Sequence, residues 1–100
     1  MNTQHNKHYT NDYGMELNEY LQHTFNHESL KGWYTMQVLK YLVRAGKKDG
    51  ESYHKDTKKA LDYATELANL ISKNEHINVS KLDVMLTLQS MANDFKNWKG

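Results

Sequence analysis

The sequence predicts an all-α protein, a compact bundle of about four helices paired into a helical homodimer, and three observations carry that expectation. Apolar residues recur at three- and four-residue spacing in four separate stretches, and no stretch alternates with period two for long enough to require a strand. The chain has no proline, so its helices must be ended by glycine and by polar clusters. The second and fourth stretches also carry more apolar surface than a chain this small buries alone, which points to a subunit interface.

Composition sets the outer limits. One hundred residues make a single domain with a modest core. A net charge of +1 is too balanced for a general polyanion binder, so attraction for a phosphate-bearing ligand must come from a local cluster. The absence of cysteine excludes a disulfide framework, a thiol nucleophile and a cysteine-based metal site. There is no run of about 18 apolar residues, and the polar start Met1-Asn2-Thr3-Gln4-His5 stands where a secretory signal needs an apolar core. A cytoplasmic protein with no membrane partner is expected.

Residues 1–12 lack periodicity and read as a flexible N-terminal arm, which leaves 13–100 as one helical domain. The first helix is expected over about 13–25, capped by Asn11 or Asp12, with Leu17, Tyr20, Leu21 and Phe25 as its buried stripe. On that wheel Glu19, His23 and His27 stack at i, i+4 and i+8. They could ligate a divalent metal, and a polar solvent face explains the pattern as well. Ser29 is a credible cap for a second helix over about 30–44, although Gly32 is able to delay its start. Trp33, Tyr34, Met36, Val38, Leu39, Leu42 and Val43 spread around much of that helix, so it is central or shared with a partner. Gly46 is suited to close it in the left-handed conformation.

The third helix is expected over about 53–73, with Ser52 as its cap and Ala60, Ala64, Leu67, Ala68 and Ile71 on its inner face. Alanines there permit close helix approach. After a polar break at 74–78, a fourth helix over about 80–98 shows a heptad-like seam of Val84, Leu88, Met91, Phe95 and Trp98, widened by Leu82, Met85 and Ala92.

The chemistry concentrates between the second and third helices. Lys40, Arg44, Lys47 and Lys48 fall on one face, and residues 40–59 hold seven Lys or Arg against three Asp or Glu. Cations in a helix's last turn offset its carbonyl end, but Lys55, Lys58 and Lys59 lie near a helix start, where the dipole disfavours them. The pattern fits a phosphate pocket, with a solvated basic turn as the rival. It is not a P-loop, because Tyr41 stands where the first glycine belongs and Lys48 where the magnesium-binding hydroxyl belongs.

Four segments carry a family resemblance: His8-Tyr9, Gly14-Met15-Glu16, Lys40-Tyr41-Leu42-Val43-Arg44-Ala45-Gly46-Lys47-Lys48, and Asp56-Thr57-Lys58-Lys59-Ala60-Leu61-Asp62-Tyr63. Over about residues 8–70 the chain resembles the SaV-like family of small tailed-phage proteins. That family includes the nucleotide kinase of T7-like phages and a lactococcal member that triggers an abortive-infection system. The matching positions are His8, Tyr9, Glu16, Lys40, Tyr41, Arg44, Gly46, Lys48, Lys59 and Tyr63. The resemblance implies a phage origin and a link to nucleotides.

Two main readings follow, with a weaker third. In the first, the protein handles nucleotides and resembles a nucleoside monophosphate kinase without a P-loop. Lys40, Arg44, Lys47, Lys48, Lys58 and Lys59 then clamp phosphates, and Tyr41 or Tyr63 stacks on a base, although both also suit core-edge packing. Glu16, Arg44 and His8 would serve catalysis, and Mg2+ enters only in this reading, held by Glu16 or Asp56. In the second, the protein is a non-enzymatic factor that engages a host or defence protein through Trp33, Tyr34 and Trp98, where these are exposed. The third is nucleic-acid binding by the 40–59 patch, with steep salt dependence.

Overall fold

Helices α1 (Leu17–Thr24), α2 (His27–Arg44), α3 (Tyr53–Glu75) and α4 (Lys81–Lys96) make up the fold in a computed structural model that describes residues 9–45, 47 and 53–100. Among the described residues there is no strand, only an isolated bridge between Thr10 and Glu16. The all-α expectation is met.

The core begins where α2 meets α3. Leu30, Tyr34 and Val38 recur every four residues on α2 and are buried against Ala60, Ala64, Leu67, Ala68 and Leu70 of α3. The alanines project only a methyl group, so α3 lies close to α2 and leaves room for the Tyr34 ring. Each large apolar side chain buried this way contributes roughly 1.5–3 kcal/mol. Tyr34 is fully enclosed, and its hydroxyl donates to Asn18 Oδ1 at 3.3 Å. Burial, aided by the nearby Glu66 charge, pushes its phenol up to about 12, so the hydroxyl keeps its proton. Trp33 lies half-buried against Tyr34, at 5.2 Å between ring centres, and joins the core. Of the three proposed aromatic anchors, then, Tyr34 is enclosed and Trp33 is largely spent on packing.

Helix α4 lies across α2 and α3 through Val84, Leu88 and Ala92. The expected seam of alternating four- and three-residue steps is corrected here. The covered positions follow a four-residue step, while Met91, Phe95 and Trp98 are exposed, Trp98 by 69%. At about 100° per residue Phe95 lies within the arc from Val84 to Ala92, so its exposure means that the last turns of α4 run past the neighbours that cover Val84 and Leu88.

Local chemistry sets the boundaries. The first helix begins at Leu17 rather than 13, because Asn11 Oδ1 accepts from Tyr13 N at 2.9 Å and Met15 N at 3.0 Å. Gly14 at φ 80° completes the turn, a conformation glycine adopts without a Cβ clash. Glu16 then caps α1 in a reciprocal capping box with Glu19. Of the stripe expected on this helix only Leu21 packs on the core, and Leu17, Tyr20 and Phe25 are exposed. The helix has no buried residue and meets the bundle through α2. Asn26, not Ser29, caps α2, its side chain accepting from Ser29 N at 2.8 Å, and the helix runs through Gly32.

Helix α3 continues two residues past its expected end. His76 then takes a left-handed φ of 56°, and Ser72 Oγ both accepts from Val79 N at 3.1 Å and donates to Val79 O at 3.2 Å. Ser80, expected as the first residue of the fourth helix, instead caps it, and the hydrogen bonds from its backbone and side chain hold the Asp83 carboxyl below its ordinary range. Gly46 and Ser52, the expected ends of the 45–53 connection, lie outside the described residues.

The close α2–α3 contact sets the first prediction. Ala64→Leu should destabilise the fold by about 1–3 kcal/mol through overpacking. Asn69→Ala, on the exposed side of the same helix, should stay within about 0.5 kcal/mol. Urea denaturation of the two variants checks both.

Candidate functional site

The end of α2 and the start of α3 bring three of the expected cations around one ring. Lys40 Nζ lies 4.8 Å from the centre of the Tyr41 ring, Lys59 Nζ 5.5 Å and the Arg44 guanidinium carbon 5.9 Å. The negative face of an aromatic ring attracts such cations. Lys40 and Lys59 are exposed and make no ion pair with a described residue. Lys58 instead faces Asp62 one turn on, at 3.4 Å, and Lys47 is exposed beyond the helix end. Lys48 and His8 lie outside the described residues.

Tyr41 is backed by an aromatic chain that ties the site to the core. It stacks on Tyr63 at 6.0 Å with 8° between the rings, and Tyr63 meets Trp33 edge-on at 5.6 Å. Burial raises the Tyr63 phenol, and the nearby Tyr41 and Tyr9 hydroxyls add to the effect. The two tyrosines face each other, so each uses one ring face on its neighbour.

Arg44 is held from behind. Asp56, buried with a side chain only 4% exposed, sits in the first turn of α3, where the helix dipole favours a carboxylate, and its Oδ2 is 3.7 Å from Arg44 Nε. That distance gives charge attraction without a hydrogen bond. Arg44 Nε is buried and has no hydrogen-bond partner. Asp56 therefore neutralises and positions Arg44 but leaves one of its donors unsatisfied.

Glu16 is not among the residues that meet the Tyr41 ring. Its charge acts on Glu66, on α3 one turn after Tyr63, and burial together with Glu16 and Asp62 pushes the Glu66 carboxyl above its ordinary range. The structure thus gathers Lys40, Arg44, Lys59, Tyr41, Tyr63 and Asp56 in one place. Nothing in the sequence drew attention to Glu66. Its only trace was the i, i+4 spacing from Asp62 on the third helix.

The stack of Glu19, His23 and His27 is corrected, because α1 ends at Thr24 and His27 opens α2. His27 Nε2 instead meets Glu75 Oε2 at 2.7 Å, and Lys31 Nζ meets the same oxygen at 2.8 Å. These bonds, Lys31 first, hold the Glu75 carboxyl below its ordinary range, and Glu75 in turn raises Lys31. Among the described residues His27, Glu28 and Glu75 are the group whose ligand atoms approach one another within 4.8 Å. Lys31 already supplies a cation there, and a helix N-terminus opposes a second. The arrangement is an ion-pair staple between α2 and α3, and the 48-residue separation gave no sequence signal.

Fold and site define a small helical protein with a basic surface backed by stacked aromatics. A family of proteins of unknown function, DUF3310, matches residues 3–65. The chain is also 65% identical to the SaV protein of Lactococcus phage p2 over 100 residues, covering all of this chain and 78% of that one. It is 65% identical to the SaV protein of Lactococcus phage SK1 over 99 residues, 99% of this chain and 77% of the relative. No solved structure matches the chain. The protein belongs to the SaV-like DUF3310 family of phage proteins. Among its described residues no helix is long and apolar enough to cross a membrane.

Two predictions come from this geometry. Arg44→Ala strands the buried Asp56 charge and should cost about 2–3 kcal/mol, whereas Lys40→Ala should cost less than about 0.5 kcal/mol. Adding Asp56→Asn to Arg44→Ala should recover part of the loss, as read by denaturant unfolding. Glu66 has a folded-state pKa raised above its unfolded value, so the native state holds the extra proton. Its contribution is fully favourable below the unfolded carboxylate pKa and is lost as pH rises through the folded one. Glu66→Gln should therefore raise the melting temperature at about pH 7, with the gain vanishing near about pH 3–4.

Proposed function

We propose that this phage protein binds a phosphate-bearing ligand on the surface formed by Lys40, Arg44 and Lys59, with Tyr41 behind them. One observation carries the reading. Three cations gather around a single ring, and the only described carboxylate paired with any of them is the buried Asp56. The Arg44 side chain is 40% exposed and carries a charge that a phosphate can meet, and charge-assisted bonds of this kind are the strong ones. Nucleotides are the ligand class the family resemblance suggests, acting in the cytoplasm of an infected cell. Binding would rest on the phosphates more than on the base, since Tyr41 and Tyr63 stack on each other. Nucleoside monophosphate kinase-like transfer is the finer form of this reading. It needs Mg2+ and a carboxylate to hold it, with Glu16 or Asp56 as the candidates.

Calorimetric titration of deoxynucleoside mono- and triphosphates, with and without Mg2+, tests the reading. Lys40→Ala with Lys59→Ala should weaken binding about 100-fold, two charge-assisted contacts each contributing about 1.4 kcal/mol or more, with thermal stability unchanged. These variants are cleaner than Arg44→Ala, which disturbs the fold through Asp56. No heat from the parent with any nucleotide or with inorganic phosphate sinks the proposal. Steep salt dependence with an unselective oligonucleotide would replace it with nucleic-acid binding.

A second reading, a non-enzymatic factor engaging a host or defence protein or a second copy of itself, draws on a different surface feature. Met91, Phe95 and Trp98 are exposed together at the end of α4, with Phe95 and Trp98 rings 6.4 Å apart. Large aromatics of this kind dominate many interfaces. Sedimentation of the parent beside Phe95→Ala/Trp98→Ala decides whether that end pairs two copies. A dimer lost in the variant supports the homodimer, and a parental monomer removes it.

A further inference from the structure

A second uncovered surface lies along α1, and it differs from the α4 end in shape and in charge. A groove of about 660 Å3 runs between the turn at residues 9–16 and α1. Tyr9, Met15, Leu17 and Tyr20 supply its apolar walls, and Glu16 and Glu19 its charged edge. Leu17 and Tyr20 stand three residues apart on the side of α1 that turns away from the bundle, and Tyr20 is 60% exposed. Leu21 alone faces the core. An eight-residue helix with this much apolar side chain in solvent has an unfilled contact.

The charge around the groove selects what fills it. Residues 9–26 contain Asp12, Glu16 and Glu19 and no lysine or arginine. Isologous packing of a second copy through this face would set the same carboxylates against each other, and an anionic lipid surface or nucleic acid would meet the same repulsion. A cationic partner would not. The exposed strip is one side of a helix, and a helix laid along it buries such a strip most completely. The far wall is already built, because Asn11 and Gly14 fix the turn before any ligand arrives.

We propose that this groove docks a basic amphipathic helix of another protein. Apolar residues of that helix pack on Leu17 and Tyr20, and its lysines or arginines meet Glu19. The proposal rests on the interaction reading above only for its premise of a protein partner, and it moves that partner from the end of α4 to α1.

The test uses the full chain and two fluorescein-labelled peptides of about 18 residues with one leucine pattern, the first with lysines on its polar face and the second with glutamates. Fluorescence anisotropy at moderate salt should show the lysine peptide binding at least tenfold more tightly than the glutamate peptide. Tyr20→Glu and Glu19→Lys should each weaken the lysine peptide at least tenfold, and Phe95→Ala/Trp98→Ala should leave it unchanged. No residue of α1 is buried, so circular dichroism should report an intact bundle in the α1 variants. Equal binding of the two peptides overturns the charge selection. Loss of binding in the α4 variant alone overturns the location while the interaction reading survives. If neither peptide binds and the parent shows no self-association in the sedimentation experiment, both fall together.

Discussion

The close contact of α2 with α3 is the constraint on which the rest depends. Tyr34 and Val38 can be fully enclosed only because Ala60 and Ala64 stand opposite them, and this sets the distance between the two helices. That distance in turn puts Tyr63 within stacking range of Tyr41 and Asp56 within reach of Arg44. The basic surface is therefore part of the packing. Its ring chain runs inward from Tyr41 to Tyr63, Trp33 and Tyr34.

This coupling makes the site residues unequal. Lys40 and Lys59 carry their charges at the surface and hold little of the fold. Arg44 has two tasks, presenting positive charge outward and compensating a buried carboxylate behind it. A loss of binding on removing Arg44 could then come from the missing charge or from a loosened helix pair, which removing Lys40 or Lys59 avoids. Asp56 limits the chemistry in the same way. A carboxylate already committed to Arg44 and nearly closed off from solvent holds a metal ion only by giving up a partner whose loss is costly.

The sequence showed the helices where periodicity is strong and both sides of the pattern are used. Helix α3, with its alanine face, stands where expected, and α4 begins within one residue of its expected start. The errors share one cause: periodicity identifies an apolar face and says nothing of whether a neighbour covers it. Leu17, Tyr20 and Phe25 on α1, and Met91, Phe95 and Trp98 at the end of α4, repeat as regularly as core residues and are exposed. Start signals failed where two capping residues compete, since Asn26 captures Ser29 N before Ser29 can act as a cap, and Asn11 spends its side chain on a turn. Of the candidate site, the shared face of Lys40 and Arg44 was legible from helix spacing and charge, whereas no spacing shows that Lys59 of another helix joins them around Tyr41. The Asp56 and Glu66 environments were not, because burial and through-space charge are tertiary facts.

The near-zero net charge conceals a division that bears on function. Residues 9–26 are acidic and aromatic, whereas residues 40–59 carry seven cations against three carboxylates. Opposite charges so divided cancel in a sum but not in the field near each surface, which falls away within about 10 Å at moderate salt. Tyr63 lies between the two regions, stacked on Tyr41 on one side and sensitive to the Tyr9 hydroxyl on the other, with Glu66 one turn further along α3. The acidic and basic regions therefore meet at the Tyr63 turn.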